Sequence, residues 1–384
     1  MKKALGMIVR SLDSETELLG FIENAEKYGH KLDCVIVAYT HRHDIQMEQN
    51  IRKKVPFYAV NINDPNYCRE QMRHRGISDI AQKVLLECPV DTKRGLVPYG
   101  FNRMIVVMEA ILRGMDTLFF IDSDVYPTVI RKKEDELVLD EIDFFGAHLE
   151  HLNTGSQVTT GEYSGYNILP PASFDGMSDF LTGVQKSNMK EYWEKSETHR
   201  CLIIQKKNIE AKPCNKVLGG NMAVKLSAFS KLPPFFSSHY TMDGELFLCR
   251  GEDTILGYEI GKGDIKCTDI GLNPLHDTYK NYPVEPDLKN DRSIQDRFYY
   301  ACTGWVGRNP FFNHILGNDI KATRDFQRTH LEKGLKGLSD YTGNPKFLGV
   351  LKNFDKSWDS TDRYINEFES LSEAWDIFRK GIMN

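Results

Sequence analysis

The sequence predicts an α/β fold, a mostly parallel sheet flanked by helices and followed by a helical C-terminal extension. Three observations predict it. Short apolar runs rich in β-branched residues alternate with stretches of helical periodicity through the first third of the chain. The run TLFFI at 117–121 is apolar throughout, as a strand covered on both faces is. After about residue 285 the strand pattern gives way to long helical periodicity carrying Trp305, Trp358 and Trp375.

The elements follow in order. Lys2 and Lys3 precede an apolar stretch at 4–10, which is too short for the core of a signal peptide and has no small-residue cleavage site after it. It reads as the first strand. Leu18, Leu19, Ile22 and Ala25 recur at helical spacing. DCVIVAY at 33–39 is the second strand and 55–62 the third, while 63–94 is a polar, partly helical excursion. In YGFNRMIVVMEAILRG, residues 99–114, Phe101, Ile105, Met108 and Leu112 share a helical face, and Gly114 is the stop. The fourth strand is 117–121, and the Gly-, Ser-, Thr- and Pro-rich stretch 155–171 reads as a long loop. Strands joined by helical crossovers form parallel sheets, which bind ligands beyond the carboxyl ends of their strands.

Composition excludes several classes. The chain has 384 residues, enough for one large domain or one domain with an appendage. Its net charge of −5 argues against a nucleic-acid partner, and no apolar run is long enough to span a bilayer. The eight cysteines are scattered without a C-x-x-C pair, which fits reduced thiols in a cytoplasmic protein. The pairs His41/His43 and His148/His151 have the spacing of metal ligands, but surface polar chemistry is their ordinary role.

The strongest chemical signal is TLFFIDSDVYP at 117–127, where Asp122 and Asp124 stand one residue apart at the end of a buried strand. Two carboxylates so placed can hold a hard divalent cation, Mn²⁺ or Mg²⁺, directly or through water. Such a cation neutralises a departing diphosphate. The plainer reading is a strand end with two solvated aspartates.

An apolar strand ending in D-x-D resembles the GT-A glycosyltransferases, and it also resembles the haloacid-dehalogenase phosphatases. Three later segments favour the former. LGGNMAV at 218–224 resembles the G-G-N segment lining the sugar pocket, RGEDTILGYEI at 250–260 the E-D element, and NPLHDTY at 273–279 a strand-end histidine. The resemblance covers roughly 4–280. It implies a GT-A-type, Rossmann-like sheet in a catalytic domain at 1–284, with a donor-binding part at about 1–130, an acceptor part at about 131–284, and a helical extension at 285–384. It implies a nucleoside-diphosphate sugar donor, a hydroxyl acceptor (glycan, lipid, protein or small molecule) and inversion at the anomeric carbon. Asp124 and His276 would hold the metal, with Asp122 on it, on its water or on the ribose. Asp253 would be the general base and Glu252 would orient the acceptor. Gly219, Gly220 and Asn221 would line the sugar pocket, Asn102 and Arg103 would face the nucleotide sugar, and Ser11, with Asp13, would lie near the ribose. Lys93 and Arg94 would reach the diphosphate.

Each assignment has a plainer counterpart. Asn102 would be a helix cap and Arg103 a surface arginine, while Glu252 and Asp253 would be a solvated pair in a first helical turn. A retaining GT-A enzyme, a dehalogenase-type phosphatase and a non-catalytic carbohydrate-binding relative remain alternatives. The phosphatase would carry D-x-D on its first strand, and here three strands come first. TGWVGRNPFF at 303–312 would touch donor or acceptor. The last helix carries Leu371, Trp375, Phe378 and Ile382 on one face. That face would pack on the catalytic domain, or serve peripheral membrane or homo-oligomer contact.

Overall fold

A computed structural model describes the chain apart from residues 14–15, 94, 196–200, 207–208 and 384, so Arg94 lies outside the described residues. The first segment runs β1 (Lys3–Val9), α1 (Thr16–Lys27), β2 (Cys34–Tyr39), α2 (Ile45–Arg52), β3 (Phe57–Asn61), α3 (Asn66–His74), α4 (Asp79–Leu86), α5 (Tyr99–Leu112) and β4 (Thr117–Asp122). The middle adds β5 (Val125–Tyr126), β6 (Thr128–Lys133), β7 (Glu136–Glu141), α6 (Phe144–Asn153), β8 (Val158–Thr160), β9 (Gly165–Tyr166), α7 (Met177–Gly183), α8 (Ser187–Lys195), β10 (Leu202–Ile203) and β11 (Lys212–Pro213). Then come β12 (Asn221–Lys225), β13 (His239–Met242), β14 (Glu245–Leu248), α9 (Glu252–Lys262), β15 (Cys267–Asp269) and β16 (Leu275–His276). Four helices close the chain: α10 (Arg292–Ile315), α11 (Ile320–Thr342), α12 (Val350–Trp358) and α13 (Thr361–Ile382).

The expected α/β architecture is present. An eight-stranded sheet has the order β11-β15-β8-β12-β4-β1-β2-β3, with helices on its faces. Strands β4, β1, β2 and β3 are mutually parallel. Beyond β4 the sheet is mixed, because β12 runs antiparallel to both β4 and β8. The chain winds outward from β1 through β2 to β3, then returns through α5 to β4 on the other side of β1. That reversal makes a crevice at the carboxyl ends of β1 and β4.

Burial explains the strands. Leu118, Phe119, Phe120 and Ile121 have no exposed surface, packed between α5 and α6. One face of β4 meets Met104, Val107 and Met108, and the other meets Phe144 and Phe145. Burying such side chains stabilises by about 1.5–3 kcal/mol each.

One expectation is corrected. The stretch 155–171 is not all loop, since β8 lies inside the main sheet and β9 pairs with β10. Val158, Thr159 and Thr160 form that strand, their β-branched side chains fully buried beside β12 and β15. The segment 303–312 is the middle of α10, with Pro310 inside the helix. Proline there leaves the Val306 carbonyl without its helical donor. Ser357 Oγ donates to that carbonyl at 3.0 Å.

A second core unites residues of α7 and of β13 and β14 with those of α10, α11 and α12, around Phe298, Trp305, Leu335 and Phe354. Trp375 and Phe378 of α13 pack against Phe229 in the sheet's own core, and Trp375 Nε1 donates to Leu232 O at 3.1 Å. Most of the apolar face of α13 is therefore covered. Among the described residues no helix is long and apolar enough to cross a membrane.

Candidate active site

Asp122 is the last residue of β4, and Ile8 of β1 lies opposite it in register. It stands at the mouth of the crevice, with its side chain 26% exposed. Three residues on, β5 begins and pairs antiparallel with β16, placing His276 directly across from Val125. The Asp277 amide donates to the Asp124 carbonyl at 2.8 Å. This short ladder carries His276 to Asp124 from 152 positions away in the sequence, and His276 Nε2 lies 3.0 Å from Asp124 Oδ1. Arg297, from the first turns of α10, reaches the other oxygen, Nη2 to Asp124 Oδ2 at 3.0 Å. Burial opposes the charge on Asp124, but His276, Arg297 and Lys280 outweigh it and hold the carboxyl at about 2. Burial likewise opposes charge on His276, and Asp124 prevails, raising the imidazole above its usual value. Thr278 Oγ1 lies 3.1 Å from His276 Nδ1, and the Tyr163 ring lies 4.5 Å away, fixing the imidazole plane.

A second network lies around Arg103, which is 2% exposed and so is not the surface arginine of the plainer reading. Its Nη2 contacts Asp122 Oδ1 at 2.6 Å, its Nε donates to Glu252 Oε1 at 3.0 Å, and its Nη1 donates to Gly219 O at 2.8 Å. Burial works against this cation, but Asp122 and Glu252 more than compensate and hold its proton tighter than in water. One guanidinium thus ties together α5, the end of β4, the 218–221 turn and the start of α9.

The glycines of that turn are dictated by close approach. A Cβ on Gly219 would lie 2.4 Å from Arg103 Cζ, and one on Gly220 would lie 2.6 Å from Asp122 Oδ2. Gly220 N donates to Tyr163 Oη at 2.8 Å. Asn221 is wholly buried, donating to Glu162 O and Leu272 O at 2.9 Å each and accepting at Oδ1 from His148 Nε2 at 3.1 Å. Its place is behind the turn, bracing it. His148 is a core residue rather than a surface one, and burial drives its imidazole down to about 3, so it is neutral.

The acidic pair divides. Glu252 is buried against Arg103, whereas Asp253 is half-buried and accepts from Gly219 N at 3.2 Å and Thr254 N at 2.7 Å. Asn102 is fully buried, and neither polar atom of its side chain has a hydrogen-bond partner. Ser11 is half-buried just past the end of β1, beside the Leu12–His43 bridge, while Asp13 and Lys93 are exposed.

The structure therefore gathers Asp122, Asp124, Arg103, Gly219, Gly220, Glu252, Asp253 and His276 at one end of the sheet. Neither Tyr163 nor Arg297 is marked by any local pattern in the sequence. Arg297 lies 173 positions from Asp124, on a helix whose pattern reports only its own packing. A cavity of about 530 Å³ lies elsewhere, on the Phe101 and Met104 side of α5, lined by Phe235, Phe236, Arg363 and Leu371. None of the convergent acids faces it.

The donor set can be tested against a cation. Among the described residues no group of three or more His, Cys, Asp or Glu side chains forms a closed metal site. Asp124 and His276 present one carboxylate and one imidazole, donors that Mn²⁺ accepts. Cations that bind with phosphorylated substrates use one or two protein carboxylates and take their other ligands from phosphate and water. The pair fits an ion completed by substrate.

No protein-family model matches the chain. No curated protein matches it either. Among solved structures it is similar to a mycobacterial protein at 12% identity, covering 80% of this chain and 74% of that one with a TM-score of 0.39. It is similar to glucosyl-3-phosphoglycerate synthase from Mycobacterium tuberculosis in complex with Mn²⁺ and UDP-glucose, at 13% identity over 80% of this chain and 78% of that one, TM-score 0.38. The match to the same enzyme in complex with phosphoglyceric acid is at 14% identity with a TM-score of 0.31, and it spans 60% of this chain and 59% of that one.

Proposed function

We propose that the chain is a metal-dependent glycosyltransferase of the GT-A type, moving a sugar from a nucleoside diphosphate to a hydroxyl acceptor with inversion. One observation carries this reading. Asp122 and Asp124, His276 and Asp253 come from three separate stretches of sequence and meet at the switch point of the sheet. Asp124 and His276 would hold Mn²⁺ or Mg²⁺, which supplies neutralisation for the leaving nucleoside diphosphate.

The chain's own residues do the rest. Arg103 holds Asp122 and the Gly219 carbonyl in fixed positions, so the pocket floor needs no reorganisation when donor binds. Asp253 stands on the first turn of α9, and two backbone N–H groups fix its orientation. It takes the acceptor proton as the hydroxyl oxygen bonds to the anomeric carbon and the bond from that carbon to the diphosphate oxygen breaks. Glu252, committed to Arg103, positions this base rather than touching the acceptor. The close Arg103–Asp122 contact speaks against Asp122 as the covalent nucleophile of a phosphatase. Free thiols at all eight cysteines suit a cytoplasmic setting.

The test is a panel of nucleotide sugars incubated with Mn²⁺ or Mg²⁺, with nucleoside diphosphate release measured. Release that EDTA stops, and that Asp124→Ala abolishes, is expected. Phosphate release from phosphomonoesters would point to the phosphatase, and sugar binding without turnover to a carbohydrate-binding protein.

A further inference from the structure

Helix α10 does more than reach Asp124. Eleven residues after Arg297, about three turns on and so on the same face, it carries Arg308. Arg308 is 4% exposed and its side chain crosses directly over Gly251, its Cδ only 2.4 Å from where a Cβ there would sit. Gly251 precedes Glu252 and Asp253, so Arg308 stands beside the start of α9. Its Nη2 makes two long contacts, 3.3 Å to Gln185 O and 3.4 Å to Asn309 Oδ1, and its Nε is buried without a hydrogen-bond partner. Among the described residues no carboxylate pairs with it.

Two more cations stand with it. Lys186, half-buried, has its Nζ 4.8 Å from the Trp305 ring centroid. Arg250, half-buried, is anchored through its backbone N–H to Gly304 O at 3.1 Å. Neither is ion-paired among the described residues. Burial first, and then Arg308, pushes the Lys186 ammonium well below its usual value, with Asp253 opposing this. Burial also lowers the Arg308 guanidinium to about 10. Elsewhere in this protein a buried arginine is fully engaged: Arg103 has three partners, two of them carboxylates. Burying cations without counter-charge is costly, and the cost falls away when an anion enters.

We infer that Arg308, Lys186 and Arg250 form an oxyanion subsite beside Asp253, and that the acceptor hydroxyl belongs to a small molecule bearing a carboxylate or phosphate group. The inference rests on the glycosyl-transfer reading of Asp253 and adds the acceptor's charge to it. An anion seated among these three side chains completes the hydrogen bonding of Arg308 and relieves the mutual repulsion of the cations. It also leaves the rest of the acceptor within reach of the proposed base. Arginine supplies the forked donor geometry that carboxylate and phosphate share, and lysine adds a point charge.

The test uses the full-length chain and two independent readouts. Calorimetric titration with inorganic phosphate, and separately with acetate, reads the subsite without catalysis. Binding of one or both is expected, weakened about tenfold or more in Lys186→Met and in Arg308→Gln. Lys186→Met keeps the test sound should the buried Arg308→Gln variant misfold. The second readout is transfer to glycerol, glycerate and glycerol 3-phosphate with a donor that the chain hydrolyses. Transfer to the charged members over glycerol is expected, and Lys186→Met should raise KM for them more than it lowers kcat. Anion binding that ignores both substitutions, or equal transfer to glycerol, overturns the subsite while leaving the glycosyltransferase reading intact. Anion binding that depends on Lys186, in a chain that turns over no nucleotide sugar, supports the subsite and removes the transferase.

Discussion

The guanidinium of Arg103 lies 2.6 Å from Asp122 Oδ1, and the same side chain holds Glu252 at 3.0 Å. Two acids separated by 130 positions share one buried cation. Arg103→Met should strand both, and loss of one partner from a buried ion pair costs about 3–5 kcal/mol. Arg103→Lys should recover little, because an ammonium cannot make the three-way fork to Asp122, Glu252 and Gly219 O. Urea unfolding midpoints check this. A shift equivalent to less than about 1 kcal/mol in Arg103→Met would mean that the network is not holding the site together.

Asp124→Ala should end donor turnover while preserving the far-UV circular dichroism, since Asp124 lies at a strand junction rather than in the apolar core. Protons and metal compete for His276, whose pKa is raised, first against burial and then by Asp124. Neutral imidazole is the metal-binding form. Metal-dependent activity should therefore fall away on the acid side from a pH above the usual imidazole value of about 6.5, and added Mn²⁺ should move that limb to lower pH. Activity at the wild-type level in Asp124→Ala with EDTA present would end the metal assignment.

How much of this was legible beforehand depends on sequence distance. The run at 117–121, the helix leading into it and Asp122 could be read because apolar periodicity and a strand-end D-x-D are local patterns. β8 could not, because Val158, Thr159 and Thr160 are flanked by glycines and polar residues and become a strand only through pairing with β12 and β15. Arg103 reads equally as a contact to the nucleotide sugar and as a surface residue, because its carboxylate partners lie 19 and 149 positions away. Arg297 and Lys186 carry no such signal for the same reason: helical periodicity shows which face is apolar and says nothing of a cation aimed across the molecule.

Stability should decline in mild acid. His148 is held neutral down to about 3 and His239 down to about 4, in both cases chiefly by burial. In the unfolded chain both take up a proton near pH 6.5. The unfolded state therefore binds more protons between those values, and stability present above pH 6.5 is lost as pH falls toward 4. Each histidine contributes a slope of about 1.4 kcal/mol per pH unit. His276 does not offset this slope. Its raised pKa gives stability already complete below pH 6.5 and lost as pH rises through the folded-state value. Unfolding free energies measured from pH 7 to 4.5 should show the decline, and His148→Asn should flatten it. An unchanged slope in that variant would rule His148 out as a source.

The last expectation concerns Asp253 and the stereochemistry. Of the two acids that open α9, Glu252 is spent on Arg103, so Asp253 is the one with a partly open carboxylate. Losing a general base costs about 10²- to 10⁴-fold in rate. Asp253→Asn keeps the size of the side chain and one acceptor oxygen, enough for the 2.7 Å bond from Thr254 N while the 3.2 Å bond from Gly219 N is lost, so α9 should stay in place. Donor affinity should be close to wild type, because Asp122, Asp124 and His276, proposed to hold the donor, lie at the end of β4, in the turn before β5 and on β16. The loss should therefore fall on kcat rather than on donor binding, which isothermal titration with a nucleoside diphosphate and Mn²⁺ can separate. The anomeric proton of the product, read by NMR, should show the configuration opposite to the donor's. A retained configuration, or near-normal turnover by Asp253→Asn, would take the base away from Asp253 and leave a retaining enzyme that uses the same Asp124–His276 pair.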